Sequence, residues 1–414
     1  MGRGSRVVIV GAGLAGAKVG ESLRGWGFDG EILLVGEERR RPYERPALSK
    51  SYLRGRSNFE DAAVHPEGFY ADHEIDLVLS TRVSAIDVDS RTVLFESRGA
   101  LGWDHLVLAT GSRPRRLAVR GADLDGVFYL RNLEDADAIR TAAGSGRRAV
   151  VVGAGWIGTE VAASLHRGGT EVDLVFRSGA PLERILGPEI GSVFASVHRS
   201  NGVRLHPGRS LVALRGSRCA EAVELDDGSV IEADLVVIGA GVLPATELAD
   251  SAGIAVIDGV VTDRHLRTSA QDVFAAGDVA AVDHPLFSGL VRSWHWWTAL
   301  TQPPTVAANI VGVPAVYDWV PTFTSKQFGL MIEHTGHAPA WDSIIVRGDI
   351  SDVRFVAFWM RDGMPVAGMT ANIAGLGRHI RALVAARRPV DPHLLADPDV
   401  GLADLAATTE IPAR

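Results

Sequence analysis

The chain has 414 residues, more than one ordinary hydrophobic core accommodates, so we expect two or three domains. Hydrophobic residues make up 46% of the sequence and charged residues 22%, a balance typical of globular proteins. The formal net charge of -8 argues against a dedicated nucleic-acid-binding protein, which would show a basic stripe. No run approaches the roughly 20 apolar residues of a transmembrane helix, and we expect neither a membrane nor a nucleic-acid partner.

Cysteine occurs once, at Cys219. The chain therefore forms no intramolecular disulfide, which excludes mechanisms that use a redox-active cysteine pair within it. The single cysteine gives no sign of an oxidising compartment, and we expect a cytoplasmic location. Arg3 and Arg6 precede an apolar run at 7–10 that is too short for a signal peptide, so we predict a first strand there.

The first strand is a continuous β-branched run, as in strands that are buried on both faces of a parallel sheet. The turn Gly11-Ala-Gly-Leu-Ala-Gly16 follows, then a helix predicted over 17–24 and a strand over 32–35. Strand, glycine turn, helix and strand together form a βαβ unit with a dinucleotide-binding fingerprint.

The three glycines of this fingerprint have different roles. Gly11 permits the tight turn, Gly13 lets the backbone approach a pyrophosphate, and Gly16 allows close packing of the helix on the strand. The helix N-terminus presents free N–H groups to the phosphates. An acid about 20 residues further on is expected to bind a ribose hydroxyl, and Glu37 or Glu38 supplies it.

The same pattern returns in the middle of the chain. Strands predicted over 149–152 and 172–176 flank a helix over 159–167, and the turn reads Gly153-Ala-Gly-Trp-Ile-Gly158, with Gly155 at its centre. A repeated βαβ unit predicts two dinucleotide-binding domains. Two dinucleotides in one chain imply hydride transfer between a flavin and a nicotinamide.

The second unit lacks the ribose-binding acid. Phe176 stands in its place, and Arg177 follows. An acid there would repel a 2′-phosphate, whereas an arginine pairs with it. The residues thus favour NADPH over NADH, with Arg184 as a second candidate. The alternative is that Arg177 is an ordinary surface arginine.

Three further predicted strands end in glycine-containing turns, at the edge where ligands bind in doubly wound sheets. These turns are Thr110-Gly-Ser112 after 106–109, Gly239-Ala-Gly241 after 235–238, and Gly277-Asp278 after 273–276.

The pattern changes from about residue 320. Alternating stretches at 343–346 and 353–359 predict an antiparallel sheet, and 378–386 predicts a helix. We expect the tail after Asp391 to be partly loose.

Longer strings carry a resemblance to a known family. They are Pro42-Tyr-Glu-Arg-Pro-Ala-Leu-Ser-Lys50, Ala109-Thr-Gly-Ser-Arg-Pro114, Leu130-Arg-Asn-Leu-Glu-Asp-Ala136, the second fingerprint, Phe274-Ala-Ala-Gly-Asp-Val279, and Trp296 with Ala299 and Gln302. In this order the chain resembles, over nearly its whole length, the FAD-dependent ferredoxin, rubredoxin and putidaredoxin reductases of oxygenase systems. Their fold is that of the pyridine nucleotide-disulfide oxidoreductases, here without redox cysteines.

The resemblance implies an α/β fold with two Rossmann-like dinucleotide-binding domains and a C-terminal α/β domain that contains an antiparallel sheet. We predict a discontinuous FAD-binding domain over 1–115 and 245–319. The NAD(P)-binding domain would occupy 116–244, and the C-terminal interface domain 320–414.

The resemblance also implies roles for three candidate catalytic residues. Lys50 would lie near flavin N5, Glu160 near the nicotinamide carboxamide, and Trp296 near the isoalloxazine ring. The alternatives are a surface lysine, an acid in the first helical turn that the helix dipole favours, and a core tryptophan.

The remaining implied contacts belong to the two cofactors. Asp278, at a strand end before a predicted helix, would bind the ribityl chain; the alternative is a helix N-cap. The predicted FAD residues are Gly11, Gly13, Leu14, Ala15, Gly16, Glu37, Glu38, Arg45, Lys50, Val83, Ala109, Thr110, Gly111, Arg131, Gly277, Asp278 and Trp296. The predicted NAD(P) residues are Gly153, Gly155, Ile157, Gly158, Glu160, Arg177, Arg184 and Gly241. No metal site is predicted.

The sequence departs from the family pattern at several positions. Thr324 replaces a tryptophan expected near the electron exit, Lys326 replaces an acid, and Trp294 replaces a glutamate. Pro303-Pro304 stands where relatives continue a helix from a glycine. No cysteine lies between Arg41 and Lys50, which disfavours peroxidase or water-forming oxidase chemistry.

The expected function is transfer of electrons from NAD(P)H through FAD to a small iron–sulfur protein, a ferredoxin or rubredoxin, that serves an oxygenase. One alternative is a flavoenzyme that acts directly on a small organic substrate. Another is a nicotinamide-sensing flavoprotein with little turnover. The oligomeric state stays open between monomer and homodimer.

Overall fold

The structure, a computed structural model, describes residues 4–97 and 99–407. The chain divides into two compact units. The first unit comprises the residues up to Glu44, Phe59–Arg113 and Leu243–Thr322. The second unit comprises Arg45–Asn58, Pro114–Val242 and the residues from Phe323 onward. The predicted boundaries of three domains stay a prediction.

The strands alternate with helices through most of the chain. In chain order they are β1 (Arg6–Val10), β2 (Glu31–Val35), β3 (Ile75–Val78), β4 (Val83–Asp87), β5 (Thr92–Phe95), β6 (Gly99–Gly102), β7 (His105–Leu108), β8 (Ser112–Pro114), β9 (Val127–Phe128), β10 (Arg148–Val152), β11 (Glu171–Phe176), β12 (Arg204–Pro207), β13 (Leu211–Arg215), β14 (Ala222–Leu225), β15 (Val230–Glu232), β16 (Leu235–Ile238), β17 (Val242–Pro244), β18 (Val260–Thr262), β19 (Val273–Ala275), β20 (Ala280–Asp283), β21 (Leu290–Val291), β22 (Thr322–Gln327), β23 (Leu330–Gly336), β24 (Ser343–Asp349), β25 (Arg354–Arg361) and β26 (Met364–Ala371).

The helices are α1 (Leu14–Gly25), α2 (Phe59–Ala62), α3 (Phe69–Asp72), α4 (Leu133–Ala142), α5 (Trp156–Arg167), α6 (Glu183–Ser200), α7 (Glu247–Ser251), α8 (Trp296–Ile310), α9 (Gly377–Ala386), α10 (Pro392–Ala396) and α11 (Leu402–Ala407). Short 3₁₀ turns span Arg45–Ala47 and Gly277–Val279. Helix α6 is kinked at Gly187, whose φ is 84°, just before Pro188.

The first unit is built on a parallel sheet with the strand order β19-β7-β1-β2-β3. Val7, Val8 and Ile9 of the central strand are completely buried, which confirms the prediction of a strand covered on both faces. Helix α1 begins three residues before its predicted start. Gly16 therefore lies in the first helical turn.

The second unit repeats this architecture. Its parallel sheet has the order β12-β11-β10-β16-β9, with β10 between β11 and β16. Helix α5 follows β10 and begins at Trp156, again inside the glycine turn. The duplicated βαβ unit predicted from the sequence is confirmed.

The second unit also contains an antiparallel sheet with the order β22-β23-β26-β25-β24. Phe355 and Trp359 on β25 are completely buried and pack in one cluster with Phe194 from α6. The predicted antiparallel sheet and the helix near 378 are thus confirmed.

The tail after Asp391, predicted to be partly loose, contains two helices up to residue 407. Helices α10 and α11 follow Asp391, and they bury Leu395, Leu402 and Leu405. Leu402 and Leu405 lie one helical turn apart and, with Leu395, pack this stretch against the unit. The Asp- and Ala-rich composition of the segment hid this pattern in the sequence. Residues 408–414 of the predicted tail lie outside the described residues.

Within residues 4–97 and 99–407, no helix combines the length and the apolar character needed to cross a bilayer.

The core of the antiparallel sheet gives a test of stability. Trp359→Ala should lower the free energy of unfolding by about 3–5 kcal/mol, because it opens a cavity in a completely buried site and removes the donor to the Leu186 carbonyl at 3.3 Å. Met331→Ala on β23 is the matched control: its side chain is exposed, and a change within about 0.5 kcal/mol is expected. Urea unfolding followed by circular dichroism measures both; equal losses would contradict the assigned core.

Candidate functional site

The carboxyl ends of three neighbouring parallel strands form the candidate site of the first unit. Strands β1, β7 and β19 lie side by side. They lead into the glycine turn at 11–16, into Thr110-Gly111, and into Gly277-Asp278. The strand endings singled out in the sequence therefore meet at one edge of one sheet, where ligands of doubly wound folds bind.

The first and third glycines of the turn are fixed by contacts within the protein. Gly11 has a φ of +115°, and an added Cβ would overlap the carbonyl oxygen of Ala109. A Cβ on Gly16 would overlap the carbonyl oxygen of Gly11. Both positions therefore require glycine whether or not a ligand is bound.

The middle glycine differs from its neighbours. An added Cβ on Gly13 meets nothing within 4 Å, and φ is an ordinary -89°. Gly13 is also the N-cap of α1 and supplies no side-chain cap to the N–H groups of the first turn, which begins with Leu14 and Ala15. Protein packing does not demand a glycine here, whereas close approach of a pyrophosphate does.

Hydrogen bonds hold the other two strand endings in place. The Asp278 carboxylate accepts from the Ser112 hydroxyl at 2.6 Å, and the backbone N–H of Gly277 donates to the side-chain oxygen of Gln302 at 2.7 Å. Thr110 donates its hydroxyl to the carbonyl of Ala245 at 2.6 Å. These contacts fix the backbone that lines the crevice.

The secondary structure around Asp278 differs from the prediction. The strand β19 is followed by the 3₁₀ turn Gly277–Val279 and then by strand β20, so the helix expected there is absent. The N-cap of this turn is Ala276, and Asp278 lies inside it. The alternative of a helix N-cap is therefore wrong, and the carboxylate lies at the strand end, where it binds the Ser112 hydroxyl.

The remaining candidates of the first unit are placed as follows. Glu37 is exposed after β2, whereas Glu38 accepts a hydrogen bond from the Tyr43 hydroxyl. Val83 is buried at the start of β4. Trp296 begins helix α8, and its indole N–H is buried with no hydrogen-bond partner among the described residues. A buried donor of this kind fits a bound polar group.

The second unit repeats the glycine geometry. Gly153 has a φ of +104°, and a Cβ on it would overlap the carbonyl oxygen of Gly239. A Cβ on Gly158 would overlap the carbonyl oxygen of Gly153, whereas a Cβ on Gly155 meets nothing within 4 Å. Ile157 in the first turn of α5 is exposed, and Gly241, with a φ of +101°, follows the neighbouring strand β16. Both turns thus fit a dinucleotide in the same way.

Arginines stand beside the second turn. Arg177 and Arg184 are exposed, and neither side chain pairs with a carboxylate among the described residues. The Arg209 backbone N–H donates to the Phe176 carbonyl at 3.0 Å, which brings this third arginine to the end of β11. Arg209 itself pairs with Asp227 at 2.7 Å. Arg177 and Arg184 thus stand at this edge, and Phe176 occupies the position of the acid that an unphosphorylated ribose prefers.

A buried carboxylate in the second unit binds three donors. Glu160 on α5 is 6% exposed. One oxygen accepts from the Lys50 ammonium and the Ser49 hydroxyl, each at 2.6 Å, and the other accepts from the Ser325 hydroxyl at 2.6 Å. Glu160 lies beyond the first turn of α5, which contains no acid, so the alternative of a dipole-favoured first-turn acid is wrong.

The same cluster tests whether Lys50 is an ordinary surface lysine. Its side chain is 25% exposed and is held by the ion pair with Glu160, so it is not a free surface lysine. A buried carboxylate of this kind is retained only when its charge is paired and hydrogen-bonded.

A polar network extends this cluster. The Gln327 amide nitrogen lies 3.2 Å from the Ser325 hydroxyl and 2.9 Å from the Thr159 hydroxyl. Its amide oxygen lies 2.9 Å from Nε2 of His198. Burial lowers the pKa of His198, and the positive charge that His166 can carry acts in the same direction, whereas the hydrogen bond to Gln327 opposes both. The lowered pKa of His198 favours its neutral form at pH 7.

Arg45 and Arg131 belong to the second unit as well. The Arg45 guanidinium donates to the Arg131 carbonyl at 2.7 Å, and the Arg131 backbone N–H donates to the Asp135 carboxylate at 2.9 Å. Asp135 also completes a capping box with Asn132 at the start of α4. Burial raises the pKa of Asp135, and the backbone donors oppose that change.

Several polar residues of these networks were not identified from the sequence. They are Ser49, Ser112, Thr159, His198, Arg209, Ser325 and Gln327. The available signal was alternation: in β22 the odd-numbered Phe323, Ser325 and Gln327 are buried, which marks two polar side chains on an inward face. Such inward polar residues require partners.

Three of the departures from the family pattern, Thr324, Lys326 and Trp294, lie on exposed positions, whereas Pro303 is buried. Thr324 and Lys326 alternate with the buried residues and are exposed on the outer face of β22. Trp294 is 44% exposed, and the Arg292 guanidinium lies over its ring at 4.6 Å. Helix α8 continues through Pro303 and Pro304, although proline donates no backbone hydrogen bond.

Two family models match the chain. The model described as pyridine nucleotide-disulphide oxidoreductase matches residues 5–302, and the model described as reductase C-terminal matches residues 322–406.

Named relatives cover almost the whole chain. Rhodocoxin reductase of Rhodococcus erythropolis is 37% identical over 398 residues, 96% of this chain and 93% of the relative. Putidaredoxin reductase of Pseudomonas putida is 35% identical over 416 residues, 99% of each chain. The ferredoxin–NAD(+) reductase component of the anthranilate 1,2-dioxygenase system of Burkholderia cepacia is 37% identical over 402 residues, 95% of this chain and 98% of the relative.

Solved structures agree with these matches. The covalent complex of putidaredoxin reductase with putidaredoxin superposes with a TM-score of 0.95 at 35% identity, covering 99% of each chain. The ferredoxin reductase for the CYP199A2 system of Rhodopseudomonas palustris gives a TM-score of 0.93 at 34% identity, covering 97% of this chain and 100% of that one.

The glycine geometry yields a paired prediction. Gly155→Ala should cost at most about 1 kcal/mol of stability, because the added methyl group meets no protein atom. It should nevertheless weaken nicotinamide-nucleotide binding about tenfold, because the methyl group stands where a pyrophosphate must approach.

Gly158→Ala is the matched control, with the opposite pattern. Its methyl group would overlap the Gly153 carbonyl, so a loss of about 3 kcal/mol is expected. Thermal unfolding and calorimetric nucleotide titration test both variants. Unchanged nucleotide affinity in a stable Gly155→Ala protein would refute the role of this turn.

Proposed function

Because the chain belongs to the pyridine nucleotide-disulphide oxidoreductase family, we propose that it is an FAD-dependent reductase for a ferredoxin-type iron–sulfur protein. It takes reducing equivalents from NAD(P)H and passes them to the iron–sulfur protein, which serves an oxygenase. Relatives that match over nearly their whole length are named as reductases of rhodocoxin, of putidaredoxin and of the ferredoxin of a dioxygenase system.

The observation that carries this proposal is the duplicated glycine turn. In both turns the outer glycines are fixed by protein backbone, whereas Gly13 and Gly155 face open space. Each turn leads into a helix whose first N–H groups have no side-chain cap. Two such sites suit two pyrophosphate-containing cofactors.

The first unit would hold the adenosine and pyrophosphate parts of FAD at the turn that contains Gly13. Asp278 and Glu37 would bind its hydroxyl groups, and the buried indole N–H of Trp296 would donate to it. When bound, FAD supplies a ring that accepts a hydride and releases electrons one at a time.

The second unit would hold the nicotinamide dinucleotide at the turn that contains Gly155. Glu160 would accept a hydrogen bond from the carboxamide and so fix the orientation of the nicotinamide. Lys50 offsets the charge of this carboxylate, which makes burial of Glu160 near a ligand energetically acceptable. The Lys50 ammonium also lies 3.4 Å from the Pro46 carbonyl, which leaves one further N–H donor for a cofactor.

We further propose a preference for NADPH. Arg177 has no carboxylate partner in the described part of the chain, and Phe176 occupies the place of the ribose-binding acid. A 2′-phosphate would pair with Arg177. Arg184 and Arg209 belong to the same edge of the second unit. The relatives differ in this respect, since one is named as an NAD(+) reductase and another as an NAD(P)(+) reductase.

The location and the acceptor are part of the proposal. A cytoplasmic location is supported by the single cysteine, which gives no sign of an oxidising compartment. A soluble iron–sulfur protein is the acceptor that the named relatives support. Thr324 and Lys326 change the outer face of β22, so we expect the preferred partner to differ from that of relatives with tryptophan and an acid there.

The test of the function is acceptor dependence. Purified protein, NADPH and cytochrome c are combined with and without candidate ferredoxins and rubredoxins. The proposal expects rapid cytochrome reduction only when an iron–sulfur protein is present. If none of them accelerates turnover while a small organic compound does, the protein is a flavoenzyme of another kind.

Charge reversal tests the coenzyme preference. Arg177→Glu should lower the ratio of kcat/KM for NADPH to that for NADH by about 100-fold, because it replaces a charge-assisted pair with repulsion. Arg218→Glu, at a highly exposed arginine of the same unit, should leave the ratio unchanged and controls for net charge. Equal effects of both substitutions would remove Arg177 from the phosphate site.

Removal of the ammonium group tests Lys50. Lys50→Met keeps the length of the side chain, and we expect flavin reduction to slow at least about tenfold, because Glu160 loses its counter-charge. Lys326→Met, at an exposed lysine, is the control. Stopped-flow reduction of the bound flavin measures both rates, and a normal rate in Lys50→Met would exclude the assigned role.

A further inference from the structure

We infer that His198 is a positioning residue: its Nε2–H holds the Gln327 amide in one orientation, and through Ser325 this amide fixes the Glu160 carboxylate. The inference rests on the proposed function only for what Glu160 faces. The hydrogen-bonded chain that supports it lies entirely within the second unit.

The direction of the chain follows from which atoms can donate. The Thr159 hydroxyl lies 3.0 Å from the Gly155 carbonyl and 3.1 Å from the Trp156 carbonyl. Carbonyl oxygens only accept, so the single hydroxyl proton of Thr159 is used there. The oxygen of Thr159 must then accept from Gln327 at 2.9 Å, which identifies the Gln327 atom at this distance as the NH₂ group.

Ser325 leads to the same orientation. Its hydroxyl proton is used on the Glu160 carboxylate at 2.6 Å, because a carboxylate only accepts. The Ser325 oxygen therefore accepts from the Gln327 NH₂ group at 3.2 Å. Two independent hydroxyls thus require the same orientation of the Gln327 amide, and the flipped orientation satisfies neither of them.

The amide oxygen of Gln327 then needs a donor, and His198 is the residue that provides it. Nε2 of His198 lies 2.9 Å from this oxygen, and the ring is completely buried. Nδ1 is buried and has no hydrogen-bond partner among the described residues. An amide oxygen carries no proton, so the proton between these two atoms must be on Nε2.

The chain therefore runs in one direction, from His198 through Gln327 and Ser325 to Glu160. Ser325 donates to one oxygen of the carboxylate, and Lys50 and Ser49 donate to the other. Without the His198 donor, the Gln327 oxygen would be buried and unsatisfied, and rotation of the amide would release Ser325. The consequence would be a less sharply oriented Glu160.

The first measurement examines the unmodified holoprotein. Long-range ¹H–¹⁵N NMR of histidine side chains distinguishes the two neutral tautomers and the imidazolium, and the spectrum of His198→Gln identifies the signal of His198. The inference expects the neutral Nε2–H tautomer at pH 7. An Nδ1–H tautomer or an imidazolium would overturn it.

The second measurement uses substitutions at the same site. His198→Met fills similar volume without a donor, and it should weaken NADP⁺ binding, measured by calorimetry, about fivefold. His198→Gln retains an N–H near the position of Nε2 and should restore binding. If His198→Gln binds as weakly as His198→Met, or if His198→Met binds normally, the inference fails.

The matched control is His166. Both His198 and His166 contact the Phe328 ring, at centroid distances of 5.2 and 6.0 Å, but within the described residues His166 has no hydrogen bond to Gln327. His166→Met should leave binding unchanged. In a Gln327→Met background, His198→Met should have no further effect, because His198 acts only through Gln327. A loss of the same size in that background would indicate general destabilisation and would overturn the inference.

These outcomes are separable from failure of the proposed function. If neither NADPH nor NADH reduces the flavin of the unmodified protein, the reductase proposal fails. The tautomer of His198 and the rescue of nucleotide binding by glutamine would still decide the inference.

Discussion

The structure depends on a steric constraint at two turns. At Gly11, Gly16, Gly153 and Gly158 a side chain would overlap a backbone carbonyl, so the turn between strand and helix closes only with glycine. This closure aligns the helix N-terminus with the strand end and leaves Gly13 and Gly155 facing open space. The fold thereby creates two phosphate-sized cradles, and the chemistry of the chain follows from having two of them.

The second organising feature is electrostatic. Glu160 is buried, yet it binds an ammonium and two hydroxyls, and behind one hydroxyl stands a directed chain that ends at a neutral histidine. Each member has its hydrogen-bonding groups assigned by its neighbours, so the carboxylate is held before any ligand arrives. In the proposed nicotinamide site, such preorganisation would lower the cost of orienting the bound ring.

Much of this fold could be predicted from the sequence, because the glycine turns and the β-branched strands beside them are local signals. Alternation also predicted the antiparallel sheet near 343–359. The helices begin at Leu14 and Trp156, earlier than predicted, because glycines inside a first helical turn are also typical of loops. The tail helices were missed because Leu395, Leu402 and Leu405 gain burial only from tertiary packing. The roles of Lys50 and Glu160 came from a resemblance, and their contact could not be read from positions so far apart. Ser325, Gln327 and His198 required the structure for the same reason.

The central claim is that one chain binds two cofactors and that a hydride passes from the nicotinamide nucleotide to the flavin. The most direct test is anaerobic mixing of the purified yellow protein with NADPH or NADH while the flavin absorbance is followed. The account predicts that the flavin bleaches, faster with NADPH, and that oxidised iron–sulfur protein added afterwards restores its colour. A protein that binds no flavin on reconstitution, or whose flavin keeps its colour with both nucleotides, would contradict the account.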